Sequence, residues 1–307
     1  MPLLELLAPE FGLIALGTFL RRLTLGAAEG WVFLEKLGYT LLFPCLLFVA
    51  IVKAPGTVSA AAPMMLAAGS AAGLAVAAAY ACRWLPNIHS GRRASGAQTA
   101  FRFNSYLGMA IAERLGSAEG LALFSIMIAV LIPLLNVAAV WPMASHSGRG
   151  LVRELVRNPL IIATLGGLVW RAFALPAPEV LLVLASRLGS AALPLGLLCI
   201  GAALQWPQGE HAIAGNDRRL AASLTGIKLF LMPVAGIGAC ALIGLEGLSA
   251  LLVVMYTALP TSPAAYVLAS RMGGDGAFVA QLVTVSLVGS LISLPLWTSV
   301  GARLFSP

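Results

Sequence analysis

Charge is scarce in this chain. Asp, Glu, Lys and Arg make up 10% of its 307 residues, against about 25% in an ordinary soluble domain. With 60% hydrophobic residues and a mean hydropathy of +0.94, that scarcity excludes a water-soluble globule, because one soluble core of this size cannot hide so much apolar surface. Histidine is also rare. His89, His146 and His211 share no spacing, and the sequence holds no HExxH, Walker loop or GxSxG elbow, so zinc, nucleotide and serine-hydrolase chemistry have no motif to rest on. The four cysteines, Cys45, Cys82, Cys199 and Cys240, stand inside apolar runs without CxxC or Cys/His spacing, the pattern of packing residues. We expect no metal, no cofactor and no enzymatic activity. The start, Met1-Pro2 followed by Glu5 and Glu10, lacks the basic region that opens a cleavable signal, so the first helix is expected to stay in the mature protein.

What the chain has in abundance is long apolar runs. Short alternating strands, the mark of a membrane barrel, are missing, and a helix needs about 20 apolar residues to cross the hydrocarbon. Runs bounded by charge, Gly or Pro fall at 3–20, 31–52, 60–82, 97–115, 119–142, 159–175, 180–205, 220–243, 248–272 and 276–302. The expectation is an all-α integral membrane protein with ten transmembrane helices, its lipid partner the bilayer. The fourth and ninth runs are unlike lipid-facing helices: Gln98, Thr99, Arg102, Asn104 and Ser105 crowd one, and Pro260, Thr261, Ser262 and Pro263 interrupt the other.

The second half of the sequence lies over the first. Phe103-Asn104-Ser105 falls on Pro260-Thr261-Ser262, and Glu113-Arg114-Leu115-Gly116 on Ser270-Arg271-Met272-Gly273. Leu16-Gly17 through Arg22 falls on Leu165-Gly166 through Arg171, and the second and seventh runs share a central proline, Pro44 and Pro194. Five helices per copy is an odd number, so the copies enter the membrane from opposite sides, the inverted-repeat plan of many transporters. The organisation expected is a first five-helix repeat over 1–142, a cytoplasmic linker over 143–158 and a second five-helix repeat over 159–307.

The net charge of +7 comes from 19 basic residues against 12 acidic ones. They are dispersed singly or in pairs without a basic stripe, so nucleic acid is not an expected partner; they read as topology signals. With the N-terminus outside, cytoplasmic segments hold Arg21, Arg22, Arg83, Arg92, Arg93, Arg149, Arg153, Arg157, Arg218, Arg219 and Arg271, and outer segments hold Lys53, Arg114, Arg171 and Arg303. This bias sets both termini outside the cytoplasm, in the cell inner (plasma) membrane.

Several motifs carry a family likeness: Phe101-Arg102-Phe103-Asn104-Ser105-Tyr106-Leu107-Gly108, Pro133-Leu134-Leu135-Asn136-Val137, Arg157-Asn158-Pro159-Leu160, and Ala258-Leu259-Pro260-Thr261-Ser262-Pro263 followed by Met272-Gly273-Gly274-Asp275. In combined order, over essentially the whole chain, they resemble the auxin efflux carrier family. Its bacterial members resemble carriers of small organic anions such as malonate and other dicarboxylates; its plant, PIN-type members export auxin. The resemblance implies two inverted five-helix repeats with the fourth and ninth helices broken where they cross, and an elevator-like motion of a transport domain against a scaffold. This chain departs from the plant members in having no long central hydrophilic loop, and its fourth helix has no proline at the expected break.

A broken membrane helix exposes unpaired N–H groups and a partial positive charge at the start of its second half, which suits an anion. Ser262-Pro263 reads as N-cap and first helical position, with Asn104-Ser105 in the equivalent place of the first repeat. Asn104, Ser105, Pro260, Thr261, Ser262 and Pro263 are therefore the expected substrate-binding residues, weighed against kink residues that bond back to their own helices. Arg102, just before the break, is either a bidentate partner for a carboxylate or a basic residue snorkelling to headgroups. Lys228 lies about 13 Å along a helix axis from Arg219, too deep for easy snorkelling. An intramembrane lysine suggests function: attracting the anion, or coupling transport to protons by giving up its own; a structural partner for a carbonyl is the alternative. Glu10 sits near the outer end of the first helix, and Asn136 and Asn158 read as helix-to-helix hydrogen-bonding residues.

The function expected is secondary active transport of a small organic anion, a mono- or dicarboxylate, with a proton-linked form and a homodimer both compatible with the plan. A sodium-coupled organic-anion symporter of the bile-acid-transporter type and a non-transporting membrane sensor or scaffold remain open at this point. An integral-membrane enzyme acting on lipid lacks the carboxylate pair or metal cluster it would need at one interface.

Overall fold

Apolar runs rich in Ala and Leu satisfy their backbone internally as helices. A computed structural model describes residues 3–23, 28–53, 61–144, 159–173, 175–176, 178–204 and 216–305, and among them every regular element is helical. In order these are α1 (Leu3–Leu23), α2 (Ala28–Leu37), α3 (Phe43–Val52), α4 (Ala61–Ala81), α5 (Ser90–Ala97), α6 (Ser105–Ala144), α7 (Pro159–Ala172), α8 (Glu179–Ser190), α9 (Ala192–Ala202), α10 (Asn216–Gly226), α11 (Met232–Ile243), α12 (Gly247–Ala258), α13 (Ala264–Arg271) and α14 (Gly276–Phe305). Residues 145–158, nearly all of the expected linker, lie outside the described residues, and with them Arg149, Arg153, Arg157, Asn158 and His146; so does His211.

Six stretches among the described residues are long and apolar enough to cross a membrane: Glu29–Lys53, Ala61–Trp84, Ser90–Met143, Glu179–Ala202, Asp217–Ile243 and Gly276–Phe305. Ten spans are expected from the sequence, and two of its runs form short helices. An α-helix rises 1.5 Å per residue, so the 12 residues of α12 and the 14 of α7 are each shorter than the roughly 30 Å of hydrocarbon. The stretch Ser90–Met143 also contains two interruptions, at 101–104 and at Gly116–Ser117, where Gly116 (φ −136°, ψ 17°) and Ser117 (φ 49°, ψ −137°) leave helical geometry. The chain folds tightly back there: a Cβ on Gly120 would stand 2.3 Å from the carbonyl oxygen of Ala112. Large apolar side chains point outward along the helices, Phe19 (55% exposed), Leu242 (90%) and Ile292 (78%) among them, as lipid-facing surfaces require.

The chain divides into two compact units, one of Met1–Ala61, Tyr106–Val130 and Gly150–Ala203, the other of Ala62–Ser105, Leu131–Arg149 and Leu204–Pro307. Each unit therefore draws on both halves of the sequence. In the first unit α1 packs along α9 through glycines: a Cβ on Gly17 would lie 2.0 Å from the Leu198 carbonyl oxygen, and one on Gly201 1.8 Å from that of Ile14. Only hydrogen in place of a side chain lets the backbones approach this closely, the usual device between membrane helices. Thr18 Oγ1 donates to the Gly201 carbonyl at 2.9 Å, and Arg21 donates to that of Ala202. Glu10, 4% exposed, is paired with Arg114.

In the second unit α10 and α11 are joined by a π-helical turn, Ile227–Leu231, with Pro233 just beyond it. Proline has no N–H and crowds the carbonyl four residues before it; a wider turn absorbs the crowding. The carbonyl so released, that of Leu229, accepts from Trp297 Nε1 at 2.8 Å. The same pattern, a π turn at Gly38–Leu42 followed by Pro44, joins α2 to α3. Pro194, the residue matched to Pro44 in the sequence, follows a different discontinuity, the single residue Ala191 between α8 and α9.

Candidate functional site

Two helices of the second unit are interrupted where the sequence turns polar. α5 tightens into a 3-10 turn at Gln98–Ala100, the chain is non-helical over 101–104, and α6 starts at Ser105. No proline is needed for this break, because other groups satisfy the freed backbone. α12 ends at Ala258 and α13 starts at Ala264, leaving the Pro-Thr-Ser-Pro run between them.

The two interruptions are bonded to each other. The Asn104 N–H donates to the Pro260 carbonyl at 2.8 Å, and Thr261 Oγ1 donates to the Thr99 carbonyl at 2.6 Å. The Thr261 N–H donates in turn to Ser286 Oγ on α14 at 3.1 Å. Asn104 and Thr261 are each 1% exposed, so these bonds are made away from solvent, where an unmade one is expensive. Phe103 meets Tyr256 edge-on, ring centroids 4.8 Å apart. Tyr256 is fully buried, and its hydroxyl has no hydrogen-bond partner among the described residues.

Ser262 caps α13: its Oγ accepts from the Ala264 N–H at 3.3 Å, its carbonyl accepts from the Ala265 N–H at 3.0 Å, and Pro263 between them already has helical angles (φ −56°, ψ −28°). Cap and first-turn proline thus stand as a helix start requires. Ser262, Pro263 and Ser105 are half-buried and Pro260 is buried.

Arg102, half-buried, is drawn inward rather than out. Its guanidinium donates to Gln98 Oε1 at 3.0 Å, to Asn136 Oδ1 of α6 at 3.1 Å and to the Ala264 carbonyl at 3.4 Å, so it ties both interruptions together. Lys228 is fully buried inside the π turn Ile227–Leu231, which packs against the Gln98–Ala100 turn. Its ammonium lies 3.3 Å from Met232 Sδ, a thioether where a carbonyl was the structural alternative. Ser286 was missed in the sequence; the signal was present, since Thr284, Ser286, Ser290 and Thr298 are four buried hydroxyls in a largely apolar helix.

Residues 142–298, which include α7 to most of α14 and the Pro260–Pro263 half of the junction, match the protein family described as membrane transport protein. The chain belongs to this family. It is the auxin efflux carrier family that the sequence motifs resemble, and its members are membrane transporters rather than enzymes. An uncharacterized transporter of Methanothermobacter thermautotrophicus is 28% identical over 153 residues, 50% of this chain and 49% of that protein. The chain thus spans about half the length of the curated relative it matches. Family and apolar helices together make this a multi-pass membrane protein.

Proposed function

We propose that the protein is a secondary carrier of a small organic anion, a mono- or dicarboxylate, held where the two interrupted helices meet. The observation that carries this reading is the pair of bonds from Asn104 to Pro260 and from Thr261 to Thr99, which hold two helix starts, at Ser105 and at Ala264, beside one polar junction in an apolar protein. Helix starts attract anions through the positive end of the helix dipole. In this reading Asn104, Ser105, Pro260, Thr261, Ser262 and Pro263 form the binding site, Arg102 supplies positive charge, and Lys228 attracts the anion or couples its movement to protons.

The architecture we propose is ten spans in two inverted repeats, 1–142 and 159–307, joined by a cytoplasmic linker at 143–158, in the plasma membrane with both termini outside. The named site residues fall in one compact unit, and an elevator-like movement of the site is the mechanism we propose. Uptake of radiolabelled malonate by proteoliposomes, with and without an imposed pH or sodium gradient, tests the proposal. Accumulation driven by a pH gradient is expected; accumulation driven by sodium alone favours the sodium-coupled alternative, and no saturable uptake of any mono- or dicarboxylate removes the anion-carrier reading.

A further inference from the structure

A cleft of about 360 Å³ opens in the second unit where the end of α4, the start of α5 and the end of α6 come together. Tyr80 on α4 donates to the Ala138 carbonyl on α6. The cleft lies beyond this tie, and Trp141 and Pro142, the last turn of α6, line its other side. Its walls are mainly apolar, with Ala79, Ala94, Ala97 and Cys82 among them, and the charged residues that line it are Arg83 and Arg93; no acidic side chain does.

These two arginines are not neutralised by neighbours. Asp217 and Asp275 are both engaged by Arg92, and among the described residues no ion pair involves Arg83 or Arg93. Arg93 donates one Nη to the Arg83 carbonyl at 2.7 Å, and its Nε is buried with no hydrogen-bond partner among the described residues. A guanidinium presents five donors in a rigid fork that matches a phosphate, and Arg83 and Arg93 bring two such forks to one cleft. The first turn of α5 adds its positive end, and Ser90 lines the cleft there.

The surroundings are those of a membrane interface. Trp84 is 74% exposed and Trp141 77% exposed, and the Arg83 guanidinium lies over the Trp84 ring, 5.0 Å from its centroid. Indole rings with one apolar and one polar side settle at headgroup level. An anion that must fit two guanidinium groups, flanking tryptophans and alanine-lined apolar walls at once is amphipathic. Asn104 and Thr261 do not line this cleft.

We propose that the cleft binds the phosphodiester headgroup of an anionic phospholipid, with Arg83 and Arg93 on the phosphate and the first carbons of the acyl chains along the alanine wall. The location rests on the orientation proposed above, which puts these arginines at the cytoplasmic leaflet, where anionic lipid attracts basic side chains. Binding itself does not depend on that orientation.

The test is native mass spectrometry of the detergent-purified protein titrated with phosphatidylglycerol or with phosphatidylcholine. Phosphatidylglycerol should be retained in preference, and the Arg83→Gln/Arg93→Gln double variant should lose roughly twenty-five-fold in that preference, near fivefold for each charge removed. Arg303→Gln, at the opposite end of the proposed topology, should keep it. Because Arg93 also bonds to the Arg83 carbonyl, Arg83→Gln alone provides a variant whose exposed side chain makes no hydrogen bond or ion pair among the described residues, with roughly a fivefold loss expected. Equal retention of the two lipids, or an undiminished preference in both variants, overturns the proposal. Displacement of phosphatidylglycerol by excess inorganic phosphate would make this a free-anion site and overturns it as well. Malonate transport is read out separately, so its failure leaves the lipid result standing.

Discussion

Thr261 donates its hydroxyl hydrogen to the carbonyl of Thr99 at 2.6 Å, across a sequence separation of 162 residues. One side chain thereby satisfies a backbone acceptor that the broken helix cannot satisfy itself. Thr261→Val keeps the shape and removes the donor, leaving a buried carbonyl unpaired, at a cost of about 1–3 kcal/mol. The thermal midpoint should fall accordingly, and Thr261→Ser should recover most of the loss. Equal midpoints for the valine and serine variants would show that the bond contributes nothing.

Asn104→Ala removes a buried amide at the proposed site. Malonate binding measured by calorimetry should weaken by about 1 kcal/mol or more, with protein abundance little changed. Affinity equal to that of the wild type rules out Asn104 as a ligand.

Lys228→Met keeps the length of the side chain and deletes its charge. Replacing a buried ion by an apolar group of similar volume is commonly neutral or stabilising, so the thermal midpoint should hold or rise. If the lysine couples protons, the variant binds malonate and loses the response of uptake to a pH gradient. If it attracts the anion, binding itself fails and Lys228→Arg restores part of it. Unchanged binding with an unchanged pH response returns Lys228 to a packing role.

Asp275 has two tasks, pairing with Arg92 at 2.6 Å and accepting from the Phe278 N–H at 2.9 Å at the start of α14. Asparagine keeps the second task and loses the first. Since both partners of the ion pair are partly exposed, Asp275→Asn should cost no more than about 1 kcal/mol, shrinking as salt is raised. Asp275→Ala should cost about 1 kcal/mol beyond that. Unfolding midpoints at low and high salt separate the two contributions.

The proposed orientation places Ser147, which lies outside the described residues, in the cytoplasmic linker. A cysteine introduced there should react with a membrane-impermeant maleimide only after the cells are opened. Labelling in intact cells reverses the topology.

The two interruptions were legible in the sequence because polar residues and prolines in an apolar run have few other uses, and Ser262-Pro263 spelled a helix start that the structure contains. The start of α5 at Ser90 was not, since the fourth run appears to hydropathy only from residue 97. What starts that helix is a side chain, His89 Nδ1 accepting from the Gly91 N–H at 3.3 Å. Pairings between distant segments were equally hidden. Glu10 and Arg114 are 104 residues apart, and nothing local marks either as the other's partner. Arg102 could be placed beside the break, but that Asn136 would hold it inward depended on how α6 packs. Pro44 marked the second run without announcing a π turn, and at Pro233 the turn goes with a released carbonyl, that of Leu229, finding a donor in Trp297 Nε1.

The bond between Thr261 and Thr99 also sets a schedule for biosynthesis. The acceptor is made 162 residues before its donor, an interval of roughly 8–32 s at a translation rate of about 5–20 residues per second. Throughout that interval the 99–104 backbone has no second interruption to bond with, and hydrocarbon offers no substitute. The first interruption therefore needs water, the insertion machinery or a chaperone in that interval, and its Thr99 carbonyl finds its partner only when the second interruption arrives.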